Sequence, residues 1–247
     1  MAKCITCHTR PPDETERWLE LAKWNDPTHD LSVTVFHHAR LGAEAQALFD
    51  DQIRNEWWII ELLKIVKKSI EIDEGYQAWE DSVTGIWRYK EARSSSGPAQ
   101  HIYHDIMIAA IWNRNRGFRI HLHEVLLRCC TLIQSHPYGQ TLPFNFESTR
   151  KKSTSIIAEM IANIIASVPF CLGNIDSKGN VVDPARPLPV GGYFAMFPIY
   201  LAMVSADEGS ETQLWLRRKL HYISDVLGVR LAGNLARRKK KDPWDIR

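Results

Sequence analysis

The feature that most constrains this chain is an apolar step of three and four residues that runs from Ile108 to Ile133. Ile108, Ile111, Trp112, Asn115, Phe118, Leu122, Val125, Leu126, Cys129 and Ile133 all fall on it, with Asn115 its one polar member. That spacing gathers side chains on one stripe of an α-helix, whereas a half-buried strand would need an alternation of two. The same period recurs elsewhere. Leu41, Ala45, Leu48, Phe49 and Ile53 form a stripe that Trp57, Ile60, Leu63 and Val66 or Lys67 continue. Val35 to Ile72 is long for one helix, so two helices or a kink are expected there. Tyr76, Trp79, Val83, Ile86 and Trp87 mark a further helical stretch, and Glu14 to Trp24 a short one closed by Pro27. Ser153 to Val168 reads as an apolar helix that Pro169 cannot continue without cost, because proline lacks the amide hydrogen a helix needs. Tyr193 to Ser205, Gln213 to Leu227 and a short Val229 to Ala236 complete the set. Ser94 to Pro98 and His136 to Gly139 are breakers, and Gly173 to Gly192 is a long Pro- and Gly-containing excursion of the kind that forms lids or binding segments. Strand-like alternation is confined to Leu31 to Phe36 and Asn180 to Asp183, and no internal repeat is present. The expected fold is all-α, a single irregular multi-helix domain over residues 14–236, with a flexible tail at 1–13 and a basic tail at 237–247.

Composition narrows the function classes. Hydrophobic residues make up 45% and charged residues 24% of the 247, which excludes a wholly disordered chain. Lys plus Arg number 31 against 29 Asp plus Glu, a balance that does not advertise a nucleic-acid or membrane surface. The richest apolar run, Trp57 to Val66, is cut by Glu61 and Lys64 and falls short of the ~18 residues of a membrane span. No apolar segment follows Met1, so neither a secretory signal nor a membrane partner is expected. Five cysteines, an odd number, fit a reducing compartment, cytoplasm or nucleus. Arg237 to Lys241 is a basic run that reads either as a nuclear-import signal or phosphate contact, or as a solvated tail.

The residues that carry chemistry are few. Cys4 and Cys7 are a metal-like pair, but zinc needs four ligands and the next cysteine is Cys129. The pair therefore reads as part of a frayed terminus, and neither a metal nor a cofactor is expected. Cys129, Cys130 and Cys171 read as packed rather than reactive. His37 and His38 are adjacent, and His101, His104 and Asp105 would share one face of a helix. These histidines are either hydrogen-bonded core groups or acid/base candidates that exchange protons near neutral pH. No HExxH, GxSxG, P-loop or GxGxxG motif is present.

A family resemblance appears in the second half. His104-Asp105, Ile111-Trp112-Asn113, Arg116 and Arg119-Ile120 resemble the C-terminal regulatory region of fungal binuclear zinc-cluster transcription factors. Tyr76-Gln77-Ala78-Trp79 with Ile86-Trp87-Arg88-Tyr89 is similar to the segment that precedes it. Ile165 to Gly173 resembles the family's alanine-serine-valine-proline motif, and Gly191-Gly192-Tyr193 with Phe197-Pro198-Ile199-Tyr200 its glycine-glycine, aromatic-proline motif. The likeness covers roughly Glu71 to Ala236. Departures from the family are as informative. Of the six cysteines that hold its two zinc ions, only Cys4 and Cys7 have counterparts, so no zinc-dependent DNA reading is expected from these residues.

The resemblance implies a regulator-like domain without its DNA reader, binding a small aromatic or polyketide-like metabolite or a regulator protein. Trp112, Asn113, Arg116, Arg119 and Tyr193 are its expected ligand contacts. Trp112 is also a core anchor by its own chemistry, and inward arginines need partners, for which Asp105, Glu124 and Glu159 are candidates. The alternative is a cofactor-independent isomerase or cyclase of fungal secondary metabolism in a recruited regulator-like fold. His37, His38, His101 or His104 would then be its acid/base, and Arg116 or Arg119 would stabilise a phenolate or enolate.

Overall fold

The structure, a computed structural model, describes residues 2–22, 27–92, 99–182 and 188–238. It is all-α apart from one short hairpin. Two compact units emerge, one from residues 1–83 and 121–156, the other from 84–120 and 157–243. The chain passes between them after Val83 and within two long helices, α5 (Ile106–Ser135) and α7 (Phe146–Cys171).

The first unit holds α1 (Ala2–Cys7), α2 (Glu14–Leu21), α3 (Thr28–Asp50), α4 (Glu56–Ser82), the later part of α5, α6 (Pro137–Gln140) and the start of α7. The long apolar stretch is thus two helices, broken at 51–55. Asn55 fixes the restart by accepting the Trp58 amide hydrogen at 3.0 Å, satisfying one of the donors that every helix start leaves open. Two indoles fix the pairing of α3 with α4. Trp58 Nε1 donates to the Leu48 carbonyl at 2.8 Å, and Trp79 Nε1 donates to the Pro27 carbonyl at 2.7 Å. The start of α4 therefore lies against the end of α3 and its end against the start of α3, an antiparallel hairpin. This seating rotates α4 by one position from the stripe expected. Trp58, Ile59, Leu62, Ile65 and Val66 are buried, while Trp57 and Ile60 face outward. The segment expected as a flexible tail carries α1, whose Ile5 is 1% exposed and which packs on α3.

The second unit holds a 3₁₀ turn at Gly85–Trp87, β1 (Lys90–Ala92), β2 (Gln100–Ile102), the first part of α5, the end of α7, α8 (Pro189–Ser205), α9 (Glu211–Asp225) and α10 (Arg230–Arg237). The strands pair antiparallel, with Glu91 opposite His101. Neither strand was expected, and the 3₁₀ turn replaces the helical end proposed around Ile86 and Trp87. Leu31 to Phe36, read as strand-like, lies in α3, whereas Val181 does form an isolated bridge with Ile175. Asp105 opens α5, accepting the Met107 and Ile108 amide hydrogens at 2.8 and 3.0 Å. Ser210 opens α9 in the same way, accepting from Gln213, whose own side chain accepts from Gly209.

Pro169 does not end α7, which runs on to Cys171. The proline sits in the last turn, where only one helical hydrogen bond is lost, and the Leu172 amide still reaches the Val168 carbonyl at 2.9 Å. Val168, Cys171 and Leu172 are all buried, so packing outweighs the local penalty. Gly191 explains the close approach of α8 to the end of α7, since a Cβ there would run into the Cys171 carbonyl oxygen. Of the basic run, Arg237 ends α10 and Arg238 follows it, while residues 239–241 lie outside the described residues. The Ser94 to Pro98 loop also lies outside them.

One helix among the described residues, α7, is long and apolar enough to cross a membrane, and half of its apolar stretch is buried within the protein.

Candidate functional site

In the second unit, α5 aims an arginine into the core. Arg116 is 1% exposed. Its Nη1 donates to Tyr103 Oη at 2.6 Å, Asn113 Oδ1 at 3.1 Å and the Asn163 carbonyl at 3.2 Å. Its Nη2 meets His101 Nδ1 at 3.1 Å. Three rings surround the guanidinium, with Tyr89, Trp112 and Tyr103 centred 5.0, 5.4 and 6.0 Å away. Those distances are in the range where a ring face attracts a cation. The partners expected from sequence were carboxylates. Instead Asp105 is spent on capping α5, and the groups around Arg116 are neutral oxygens, a ring nitrogen and aromatic faces.

Electrostatics keep the surroundings neutral. His101 is pushed down to about 3, first by burial and then by the adjacent guanidinium. Its Nδ1 is thus a bare acceptor for Arg116, and the ring is no proton donor near neutral pH. Tyr103 is pushed up by burial against the opposing pull of Arg116, so it stays a phenol. Asn113 extends the network, with its Oδ1 2.8 Å from Ser167 Oγ and its Nδ2 3.3 Å from Cys171 Sγ. Burial pushes the Cys171 thiol up to about 12 and Cys130 up to about 11, so both stay protonated, as does Cys129. Trp112 is 4% exposed and its Nε1 donates to the Trp87 carbonyl at 2.8 Å, tying the 3₁₀ turn to α5. Replacing it by phenylalanine deletes that donor and leaves the carbonyl unpaired. Trp112→Phe is expected to lose about 1–2 kcal/mol in chemical denaturation. An unchanged midpoint would mean the tie has no weight.

The sequence candidates therefore scatter. His101, Trp112, Asn113 and Arg116 come together, but His101 sits on β2 rather than on a helix with His104 and Asp105. His104 is exposed beside the cap. Arg119 is buried one turn farther along α5, and Tyr193 is 57% exposed on α8.

In the first unit the adjacent histidines split. His38 is fully buried, whereas His37 faces out. His38 Nδ1 lies 2.9 Å from Tyr76 Oη and its Nε2 3.0 Å from His121 Nδ1, and the His8 ring stacks on His121 at 5.2 Å. Burial, then the neighbouring histidines, push His38 down to about 3 and His121 well below its ordinary value. His38 and His121 are therefore neutral hydrogen-bonding rings rather than a proton reservoir. Spacing gave no sign of His121 or Tyr76, because they meet His38 only through the packing of three helices. Among the described residues no group of three or more His, Cys, Asp or Glu is arranged to hold a metal ion.

A concave surface in this unit lies between α3 and α4. A groove of about 470 Å³ is lined by Thr34, His37, Arg40, Leu41, Lys68 and Ile72, among others. Lys68 bonds Glu44 at 2.9 Å across it, and Arg40 reaches Glu16 at 3.2 Å. The rim therefore mixes both signs of charge above an aliphatic floor.

No protein-family model matches the chain, and no solved structure matches it. Among curated proteins, 143 residues are 24% identical to Transcription factor dbaG of Emericella nidulans. The match takes in 55% of this chain and only 31% of that protein's length. Over that stretch the chain is related to part of a fungal transcription factor.

Proposed function

We propose that these residues form a transcription-factor-like regulatory domain that binds a small aromatic or polyketide-like metabolite in the groove between α3 and α4. The likeness to a fungal transcription factor carries this reading. The groove supplies a place for the ligand. Its volume of about 470 Å³ lies within the ~300–1,000 Å³ usual for small-molecule sites. Leu41 and Ile72 offer an apolar floor, and His37, Arg40 and Lys68 offer donors for phenolic or carboxylate oxygens. In this reading the Arg116 cluster is the fixed core of the second unit, since its donors are already engaged. A nuclear or cytoplasmic location and the absence of sequence-specific DNA binding by these residues go with it.

The test is native mass spectrometry of the protein after incubation with a fungal metabolite extract. The expected result is a retained compound, released unchanged, whose capture falls at least about tenfold in Arg40→Ala, one good charge-assisted contact being worth about 1.5–3 kcal/mol. Arg40 is partly exposed, so its loss should leave the thermal midpoint nearly unchanged. Retention indifferent to Arg40→Ala would remove the groove as the site. A compound isomerised or dehydrated during incubation would instead establish the cyclase or isomerase alternative. Nothing retained or altered would turn the search to a regulator protein as the ligand.

A further inference from the structure

A second polar constellation in the first unit plays no part in the groove. His123, on α5, stands between a serine and a carboxylate. Its Nδ1 lies 3.1 Å from Ser153 Oγ on α7, and its Nε2 lies 3.2 Å from Asp73 Oδ1 on α4. All three are buried, at 1% for Ser153, 3% for His123 and 6% for Asp73. They are drawn from three helices and separated by 50 and 30 positions in the chain, so no local motif announces them. A pocket of about 100 Å³ opens over this group, and Asp73, His123 and Ser153 are all among its lining residues. Lys152, Thr149 and Leu126 line it as well.

We propose that Ser153, His123 and Asp73 form a nucleophile, base and orienting group that hydrolyse small acyl esters. The arrangement puts a base within hydrogen-bond reach of the serine and a carboxylate 3.2 Å from the other ring nitrogen, off the line of a hydrogen bond. The negative charge of Asp73 beside Nε2 favours the tautomer with its proton on that nitrogen, without an aligned hydrogen bond between the two. Nδ1 is then left bare toward the serine. The roles of the two ring nitrogens are exchanged relative to the familiar protease arrangement, which the chemistry permits because either nitrogen can take the proton.

The pocket sets the substrate class. Its volume is roughly that of three waters at ~30 Å³ each, which suits an acetyl group and excludes a long acyl chain. Ser153 stands inside α7, where backbone amides are committed to the helix. Stabilisation of the oxyanion therefore falls to a side chain, and Lys152 is the basic residue on this wall. In the first step Ser153 Oγ bonds to the acyl carbon while its proton passes to His123 Nδ1. Collapse breaks the carbon–oxygen bond to the leaving alcohol, which departs with that proton. In the second step water attacks the acyl-serine, gives a proton to His123, and Ser153 Oγ leaves as the acid forms and recovers its proton. The net reaction consumes one ester and one water and yields one acid and one alcohol.

The experiment uses the full chain and 4-nitrophenyl acetate. Release of nitrophenolate is expected to saturate with substrate, and acid-quenched protein digested for peptide mapping is expected to carry acetyl on Ser153. Ser153→Ala and His123→Gln should each lower kcat/KM by at least about 10²-fold, the usual weight of general-base catalysis. Lys152→Met, an exposed change, should lower kcat with the fold intact. Asp73 acts through His123 as a positioning residue, so Asp73→Asn should lower kcat and leave KM unchanged. An unmodified Ser153 in the wild-type protein, or acetyl confined to surface lysines, would overturn the proposal even if the buried variants fail to fold. So would a folded Ser153→Ala protein that works at the wild-type rate.

Discussion

Acidification from pH 7 to pH 5 is expected to destabilise this protein by about 2 kcal/mol for each of His38 and His101, about 4 kcal/mol together. Both are held near 3 in the folded chain, His38 by burial and the charges of His8 and His123, His101 by burial and Arg116. In the unfolded chain each returns to the ordinary imidazole value of 6.5. Above that value both states are neutral and the stability is fully present. As the pH falls through 6.5 the unfolded chain takes up protons that the folded chain refuses, and stability drains until about pH 3. His121 acts in the same direction. Urea unfolding at a series of pH values checks this directly. A free energy constant within about 1 kcal/mol across that interval would show that these rings accept protons without unfolding. The two histidines belong to different units, so His38→Gln should lessen the acid sensitivity of the first unit, where His121 still contributes, and leave that of the second in place.

Arg116→Ala is expected to cost at least about 3–5 kcal/mol, the scale seen when one side of a buried charged network is removed. Four acceptors lose their donor at once: Tyr103, Asn113, the Asn163 carbonyl and His101. Three aromatic faces lose the cation they surround, and truncation also leaves a cavity. Arg116→Lys keeps the charge but cannot present a planar fork to acceptors on several sides, so it should recover only part of the loss. Guanidinium unfolding of the two variants decides the matter. A loss below about 1 kcal/mol for the alanine variant would mean that burying the cation costs as much as its partners return.

Those two results would bear on how much the sequence reveals. Apolar periodicity found the helices because it is local. The break between α3 and α4 was visible in length, and the all-α class in the scarcity of alternation. Face and boundary were less visible. Trp57 and Trp58 are adjacent and equally apolar, and which one turns inward shows only in the packed helix, where Trp58 is buried and bonds the Leu48 carbonyl. The strands Lys90–Ala92 and Gln100–Ile102 are too short to show a period, so His101 could not be placed on one. The resemblance did single out Trp112, Asn113 and Arg116, which meet. It could not show that their partners are Tyr89, Tyr103 and Ser167, which come from other elements. Ser153 and Asp73 gave no signal, because each is an ordinary polar residue until the third dimension brings His123 between them.

The hairpin of α3 and α4 carries a kinetic consequence. Its two helices are joined by residues 51–55 only, and Trp58 reaches back ten positions to Leu48. Bringing such near neighbours together sacrifices little chain entropy, whereas the union of Asp73, His123 and Ser153 must close much longer loops. The hairpin can therefore form in the earliest microseconds of folding and template the first unit. Substitutions at the Trp58 end would then slow folding itself, and those around Ser153 would chiefly hasten unfolding.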